Sequence, residues 1–225
     1  MVKTSPLFTN CNSMRIGILG GTFNPPHLGH LRLAEEVAFT QGLDRVVFIP
    51  SHIPPHKISA DDIVTTEHRL EMTRRACFDN PLFQASDIEI ALQSPSYTVN
   101  TLEVIKKNEN CNIFFILGTD SLREISTWKD YERLFILANF VVVNRPGTSF
   151  RSAWDQVPEA FREQFQEKGQ HLVHSSSNRL IPTNVLGLDI SATRIRGLLK
   201  AGHSIRYLVP ESVRSYIQEK ELYRN

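Results

Sequence analysis

Cysteine is scarce in this 225-residue chain. Cys11, Cys77 and Cys111 are odd in number, far apart and form no C-x-x-C, which excludes a disulfide framework or a zinc ribbon and fits a reducing compartment. An excess of one charge is also missing. Lys and Arg number 25 against 24 Asp and Glu, a net charge of +1, so there is no bulk electrostatic case for binding nucleic acid or a membrane surface. Any phosphate binding must come from cations placed locally. No apolar run is long enough to cross a bilayer, and Met1–Ser13 lack the apolar core of a signal peptide. The expectation is a cytoplasmic protein with residues 1–13 as a short extension ahead of one domain, 14–225. The 12 prolines and 11 glycines are scattered, so no interdomain linker or disordered tract is marked. With 41% hydrophobic residues the chain can bury one sizeable core.

Strand-like apolar runs alternate with helical patterns. Ile16–Leu19, Arg45–Pro50, Leu82–Ser86 with Ile88–Ile90, Ile113–Leu117 and Phe140–Val143 read as strands, and the fourth, the most hydrophobic, as a central one. Helices are expected from Leu31, over about Glu67–Phe78 and Thr98–Asn108, around Tyr131–Leu137, and after Pro210. Pro158–Gly169 looks helical, His171–Val173 like a short strand, and Val185–Leu188 like a late strand feeding another helix. Continuous apolar strands alternating with helices predict an α/β fold, a Rossmann-like doubly wound parallel sheet with helices on both faces. In such sheets ligands bind beyond the carboxyl ends of the strands.

The richest segment lies at the first of those ends. Gly20-Gly21-Thr22-Phe23-Asn24-Pro25-Pro26-His27-Leu28-Gly29-His30 joins the first strand to the first helix. Glycines at a strand end let a flat ligand approach the backbone. His27 and His30, three apart, project from one side of the first helical turn. That turn also offers unpaired N–H groups and the positive end of the helix dipole to phosphate. Neither the dinucleotide fingerprint nor a P-loop is present, and the histidine spacing is not the i, i+4 of a helical zinc pair. The layout is that of a nucleotide site.

Further segments fall into the same loops. Asp189-Ile190-Ser191-Ala192-Thr193-Arg194-Ile195-Arg196 opens a late helix. Ser191 and Thr193 suit a helix cap, but beside the opening motif they and Arg194 read as a triphosphate site, with Arg196 on a solvated face. In Ser51-His52-Ile53-Pro54-Pro55-His56-Lys57 the tandem prolines prevent a helical zinc pair. Lys57 suits either phosphate or solvent. The hydroxyls of Ser96-Tyr97-Thr98 are caps on their own reading. Gly118-Thr119-Asp120 follows the central strand, where Asp120 meets a ligand or caps a helix. Trp128 is a packing residue or a stacking platform.

Together, G-G-T-F-N-P-P-H-L-G-H, S-H-I-P-P-H-K, S-Y-T-V-N-T-L, G-T-D followed by Trp128, I-S-A-T-R-I-R and Y-L-V-P resemble the bacterial nicotinate-nucleotide adenylyltransferases. These belong to the HxGH nucleotidyltransferase superfamily, and the resemblance runs from Arg15 almost to the C-terminus. It implies adenylyl transfer from ATP, accompanied by Mg2+, to nicotinate mononucleotide. Gly20, Gly21, Thr22 and Phe23 would border ATP, with His27 and His30 at its phosphates and Ser191, Thr193 and Arg194 opposite. Tyr97 and Thr98 would offer backbone amides to the nicotinate carboxylate, and Trp128 would stack on the pyridine. Gly118 and Asp120 would line the mononucleotide site, with Lys57 at its entrance. Asn24 stands where many relatives carry Asp, and Ala192 where a second Ser is common. Nicotinamide mononucleotide or phosphopantetheine as acceptor, or binding without catalysis, are the alternatives. Monomer and homodimer both stay open.

Overall fold

The computed structural model describes residues 14–52, 63–92, 95–108, 111–144 and 149–224; the N-terminal extension and Lys57 lie outside them. The chain runs β1 (Arg15–Gly21), α1 (Leu28–Gln41), β2 (Arg45–Pro50), α2 (Thr66–Cys77), β3 (Phe83–Ala85), α3 (Ile88–Leu92) and α4 (Thr98–Asn108). Next come β4 (Asn112–Gly118), α5 (Thr119–Arg123), α6 (Tyr131–Leu137), β5 (Asn139–Asn144), α7 (Phe150–Trp154) and α8 (Glu159–Arg162). The last elements are β6 (Phe165–Lys168), β7 (His171–His174), β8 (Arg179–Asn184), α9 (Ala192–Lys200) and α10 (Glu211–Glu219).

The strands form one 8-stranded sheet in the order β3-β2-β1-β4-β5-β8-β7-β6. From β3 to β8 every pairing is parallel, and β7 and β6 extend that edge antiparallel. Successive side chains on each central strand go to opposite faces. Ile16, Ile18, Phe115, Leu117, Phe140 and Val142 join one apolar cluster with residues of α4, α5 and α6. Leu19, Phe114, Ile116, Val141 and Val143 join a second with Ala34, Val37 and Ala38 of α1. Both faces are therefore covered, which is why these strands read as unbroken apolar runs. A third cluster packs α2 against α9 and α10 through Met72, Ala76, Ile195, Val213 and Ile217.

Three segments differ from the sequence reading. Ile88–Ile90 is helical, because the Ser86 hydroxyl accepts from the Ile88 N–H at 3.3 Å and starts α3 after only three strand residues. Pro158–Gly169 splits into α8 and β6. Gly169, at φ 64°, turns Phe165–Lys168 back to pair with His171–His174, and Phe165 packs edge-on against Phe135 and Phe161. The late strand is Arg179–Asn184, not Val185–Leu188. Pro182 disguised it, and is tolerated because, among the described residues, β7 pairs with β8 only at Leu180 and Arg179 and nothing pairs with that edge beyond. Among the described residues no helix is long and apolar enough to cross a membrane.

Candidate active site

The strand order reverses between β1 and β4, so the crevice beyond their carboxyl ends is the topological switch point. The chain leaves β1 through an exposed Gly20 and folds Thr22–Pro26 into a tight turn, with Phe23 at φ 48° and a cis Asn24–Pro25 peptide. A Cβ at Gly20 would meet nothing nearer than 3.9 Å, whereas one at Gly21 would sit 3.2 Å from the Phe23 ring. Gly21 thus serves the fold-back of Phe23. That ring is buried and packs edge-on against His30, with centroids 5.1 Å apart, and against Phe48. A left-handed φ in a bulky residue is a strained conformation, held here by burial.

His27 caps α1 and is buried; His30 sits in its first turn. The imidazoles stack with centroids 3.7 Å apart and 23° between planes, and the His27 N–H donates to His30 Nδ1 at 3.2 Å. An accepting Nδ1 puts the neutral ring's proton on Nε2, a donor suited to a phosphate oxygen. Gly29 between them was not singled out in the sequence. A Cβ there would lie 3.0 Å from His27 Nδ1 and 3.5 Å from the Leu188 carbonyl, so the glycine makes room for the ring. The Leu28 N–H donates to the Leu208 carbonyl at 3.0 Å, which brings the Y-L-V-P segment onto the same helix end.

Ser191 caps α9, its Oγ accepting from the Arg194 N–H at 3.2 Å. The Thr193 and Arg194 side chains are exposed. Arg196 is not on a solvated face: half-buried, it donates from Nη1 to the Asn24 carbonyl at 3.0 Å. This contact brings the start of α9 to the turn after β1. Asn24 Oδ1 also accepts from the Tyr223 hydroxyl at 2.8 Å and from the Val64 N–H at 3.3 Å. The neutral amide at this position is therefore a structural acceptor. Burial pushes the Tyr223 hydroxyl well above its ordinary pKa, so it remains a donor.

On the other side of β1, the Ser51 N–H donates to the Gly21 carbonyl at 2.9 Å, and the His52 N–H to Ser96 Oγ at 2.8 Å. These links join the opening turn to the start of α4. There the Tyr97 carbonyl accepts from the Asn100 and Thr101 amides, while the Tyr97 N–H already donates to the Pro95 carbonyl at 2.7 Å. Of the two amides expected to meet a carboxylate, Thr98 heads the helix and Tyr97 is committed within its own turn. Lys129 Nζ stands 4.9 Å over the Tyr97 ring. Trp128 is half-buried and edge-on to Phe115 at 6.2 Å. Gly118 caps α5, and the exposed Asp120 lies 3.7 Å from Arg123. Beside Ser96 and Thr101, Glu89 is buried and accepts from the Thr101 hydroxyl at 2.9 Å. Burial pushes its carboxyl above the usual range, against hydrogen bonds from Ser96, Thr101 and the His52 backbone that pull it down.

The largest omission in the sequence reading is Arg69, whose side chain is among the largest fully buried ones. Its Nη1 donates to the carbonyls of Thr22 at 3.0 Å and Ser51 at 2.5 Å. Its Nη2 donates to the His52 carbonyl at 3.2 Å and to Thr66 Oγ1 at 2.9 Å, and its Nε to the Val64 carbonyl at 3.2 Å. Hydrogen bonds to a charged group contribute about 1.5–3 kcal/mol each, enough to offset a desolvation cost of several kcal/mol. Burial still lowers the affinity of the guanidinium for its proton. A signal existed in the sequence: Arg69 falls on the stripe of Thr66, Met72, Thr73 and Ala76 that α2 buries, where a charge has no bland explanation.

Residues 18–198 match the cytidylyltransferase-like family. The chain is 44% identical over 213 residues to the "Probable nicotinate-nucleotide adenylyltransferase" of Citrifermentans bemidjiense, covering 93% of this chain and 98% of that one. It is equally identical, over the same length and coverage, to the protein of that name from Geobacter sulfurreducens. The fold superposes on the Plasmodium falciparum nicotinic acid mononucleotide adenylyltransferase complexed with NaAD, with a TM-score of 0.70 at 18% identity over 93% of this chain and 97% of that one. The chain belongs to the nicotinate-nucleotide adenylyltransferase family of the cytidylyltransferase-like nucleotidyltransferases.

Proposed function

We propose that the protein transfers the adenylyl group of ATP, taken as its magnesium complex, to the 5′-phosphate of nicotinate mononucleotide, giving nicotinic acid adenine dinucleotide and pyrophosphate for NAD synthesis. The observation that carries this reading is the stacked His27–His30 pair at the α1 N-terminus, tied through Ser51, His52 and Ser96 to the start of α4, where Lys129 stands over the Tyr97 ring. One side suits a triphosphate and the other a flat anionic ring.

No side-chain nucleophile is needed. The acceptor phosphate has a second pKa of about 6, as phosphate monoesters do, so near neutrality it is largely dianionic and attacks the α-phosphorus in line. The bond from the α-phosphorus to the α,β-bridging oxygen breaks and its electron pair leaves with pyrophosphate. The protein aligns the two substrates and stabilises charge on the α-phosphate and the leaving group. His30 supplies an Nε2–H donor, with His27 beside it. The α9 start supplies Ser191, Thr193 and the exposed Arg194 for the outer phosphates, and Gly20–Phe23 border the nucleotide. Magnesium prefers water and phosphate oxygens and so travels with the triphosphate.

On the acceptor side, Gly118 and Asp120 line the mononucleotide and Trp128 stacks on the pyridine. The Thr98 amide at a positive helix end suits a carboxylate better than a carboxamide, which brings NH₂ donors of its own. The setting is the cytoplasm: Cys77 and Cys111 are buried, and burial pushes the Cys77 thiol up to about 12. The test is pyrophosphate release from Mg·ATP with nicotinate mononucleotide, nicotinamide mononucleotide and phosphopantetheine in turn. The expected order puts the nicotinate acceptor first in kcat/KM. Turnover with another acceptor and none with nicotinate mononucleotide overturns the reading.

A further inference from the structure

Arg69 has no place in the chemistry described above, yet it is 1% exposed and carries a cation. Among the described residues no carboxylate lies within ion-pair distance of it. Its partners are four backbone carbonyls and the Thr66 hydroxyl, and the location of the carbonyls is specific. A single nitrogen, Nη1, bridges Thr22, in the turn after β1, and Ser51, in the loop after β2. The other terminal nitrogen takes the next carbonyl of that loop, His52. The His52 amide in turn donates to Ser96, next to Tyr97 at the start of α4.

One rigid fork therefore stands between the turn that leads to His27 and the loop that leads to the acceptor side. The parallel pairing of β1 with β2 already holds the strands together through Gly21 and Pro50, so sheet integrity does not require a buried cation at this point. What the pairing leaves undetermined is the conformation of the two loops just beyond it, and that is where every carbonyl contact of Nη1 and the first of Nη2 falls. A planar guanidinium with donors at fixed angles holds several acceptors at once, which an ammonium cannot reproduce.

We propose that Arg69 is a positioning residue of the transfer reaction: its guanidinium locks the turn after β1 to the loop after β2 and so sets the spacing between bound ATP and the attacking phosphate. This rests on the adenylyl-transfer reading. It predicts a defect in joint alignment and not in the binding of either substrate. Since misplacement by about 1 Å can cost on the order of 100-fold, Arg69→Lys should lower kcat by roughly 30- to 100-fold per folded site. Both KM values should stay within about threefold of wild type.

The experiment measures steady-state kinetics of wild type, Arg69→Lys and Thr66→Val with both substrates varied, alongside thermal unfolding to count folded sites. Thr66→Val removes one hydroxyl partner of the fork while keeping side-chain shape, and should lower kcat by about fivefold with KM values unchanged. It decides the matter alone if Arg69→Lys does not fold. A folded Arg69→Lys with kcat within twofold of wild type overturns the proposal. So does a loss confined to the KM of one substrate, or a Thr66→Val enzyme with wild-type kcat. Wild-type turnover in the same assay tests the underlying reading separately, and the variants are compared with whichever acceptor wild type uses.

Discussion

Replacing Gly29 by Ala sets helix stability against active-site geometry, with opposite signs. Gly29 lies in the first turn of α1, where alanine should be favoured by up to about 1 kcal/mol. For a domain of this size that corresponds to a rise of roughly 2–4 °C in Tm. The added Cβ would stand 3.0 Å from His27 Nδ1 and 3.2 Å from its Cε1, closer than ordinary contacts by a few tenths of an ångström. The ring cannot simply retreat, since it is stacked on His30 at 3.7 Å and buried. The Leu188 carbonyl, 3.5 Å from the new carbon, limits movement of the helix end the other way. If 1 Å of misplacement costs about 100-fold, about 0.3 Å costs roughly 4-fold in kcat, equivalent to about 0.8 kcal/mol of barrier. Steady-state kinetics and a thermal melt on the same preparation suffice. A folded Gly29→Ala enzyme with wild-type kcat would refute the argument that this glycine exists to seat His27. Parallel losses of kcat and Tm would refute the assignment of opposite signs.

His30→Ala should lower kcat by about 3 kcal/mol of transition-state stabilisation, by analogy with losing one oxyanion donor; a variant changed only in KM for ATP would reduce His30 to a binding residue. Trp128→Ala should raise KM for nicotinate and nicotinamide mononucleotides alike and leave the ratio of their kcat/KM values little changed, because an indole stacks on either ring. A collapsed ratio in competitive product analysis would move selectivity onto Trp128. Burial lowers the pKa of His174 below its ordinary 6.5, in a pocket of Phe135, Phe161 and Phe165. The unfolded chain then binds the extra proton first, so this contribution to stability is complete above about 6.5 and declines as pH falls toward the folded-state value. Urea unfolding at pH 7.5 and 5 should show a smaller acid loss in His174→Gln than in wild type, and equal losses would remove His174 from the account.

The parts of this molecule that were legible in its sequence share a physical cause. The central strands and α4 and α6 are defined by apolar runs and helical periodicity, and the structure places Arg45–Pro50, Thr98–Asn108 and Tyr131–Leu137 at the bounds their patterns suggest. Where pairing, not pattern, decides, the reading slipped. Pro182 sits inside a strand because nothing among the described residues pairs with one of its edges there, and Phe165–Lys168 becomes a strand because Gly169 turns it onto β7. The candidate site divides in the same way. Motif residues such as His27, His30 and Ser191 announce themselves because side chains at a helix start have chemistry of their own. Arg69 and Arg196 bond to backbone carbonyls of Thr22, Ser51, His52 and Asn24, and every residue has a carbonyl, so the partners carry no mark in the sequence. Only the donor does. A lone arginine on an otherwise buried helical stripe must find acceptors inside the fold, since leaving a buried charge unsatisfied costs several kcal/mol. In an α/β sheet the carbonyls left over by regular pairing are those just past the strand ends. A buried cation from a neighbouring helix is therefore drawn to the same edge where phosphates bind, and the loops it holds there are those that must hold still for the transfer.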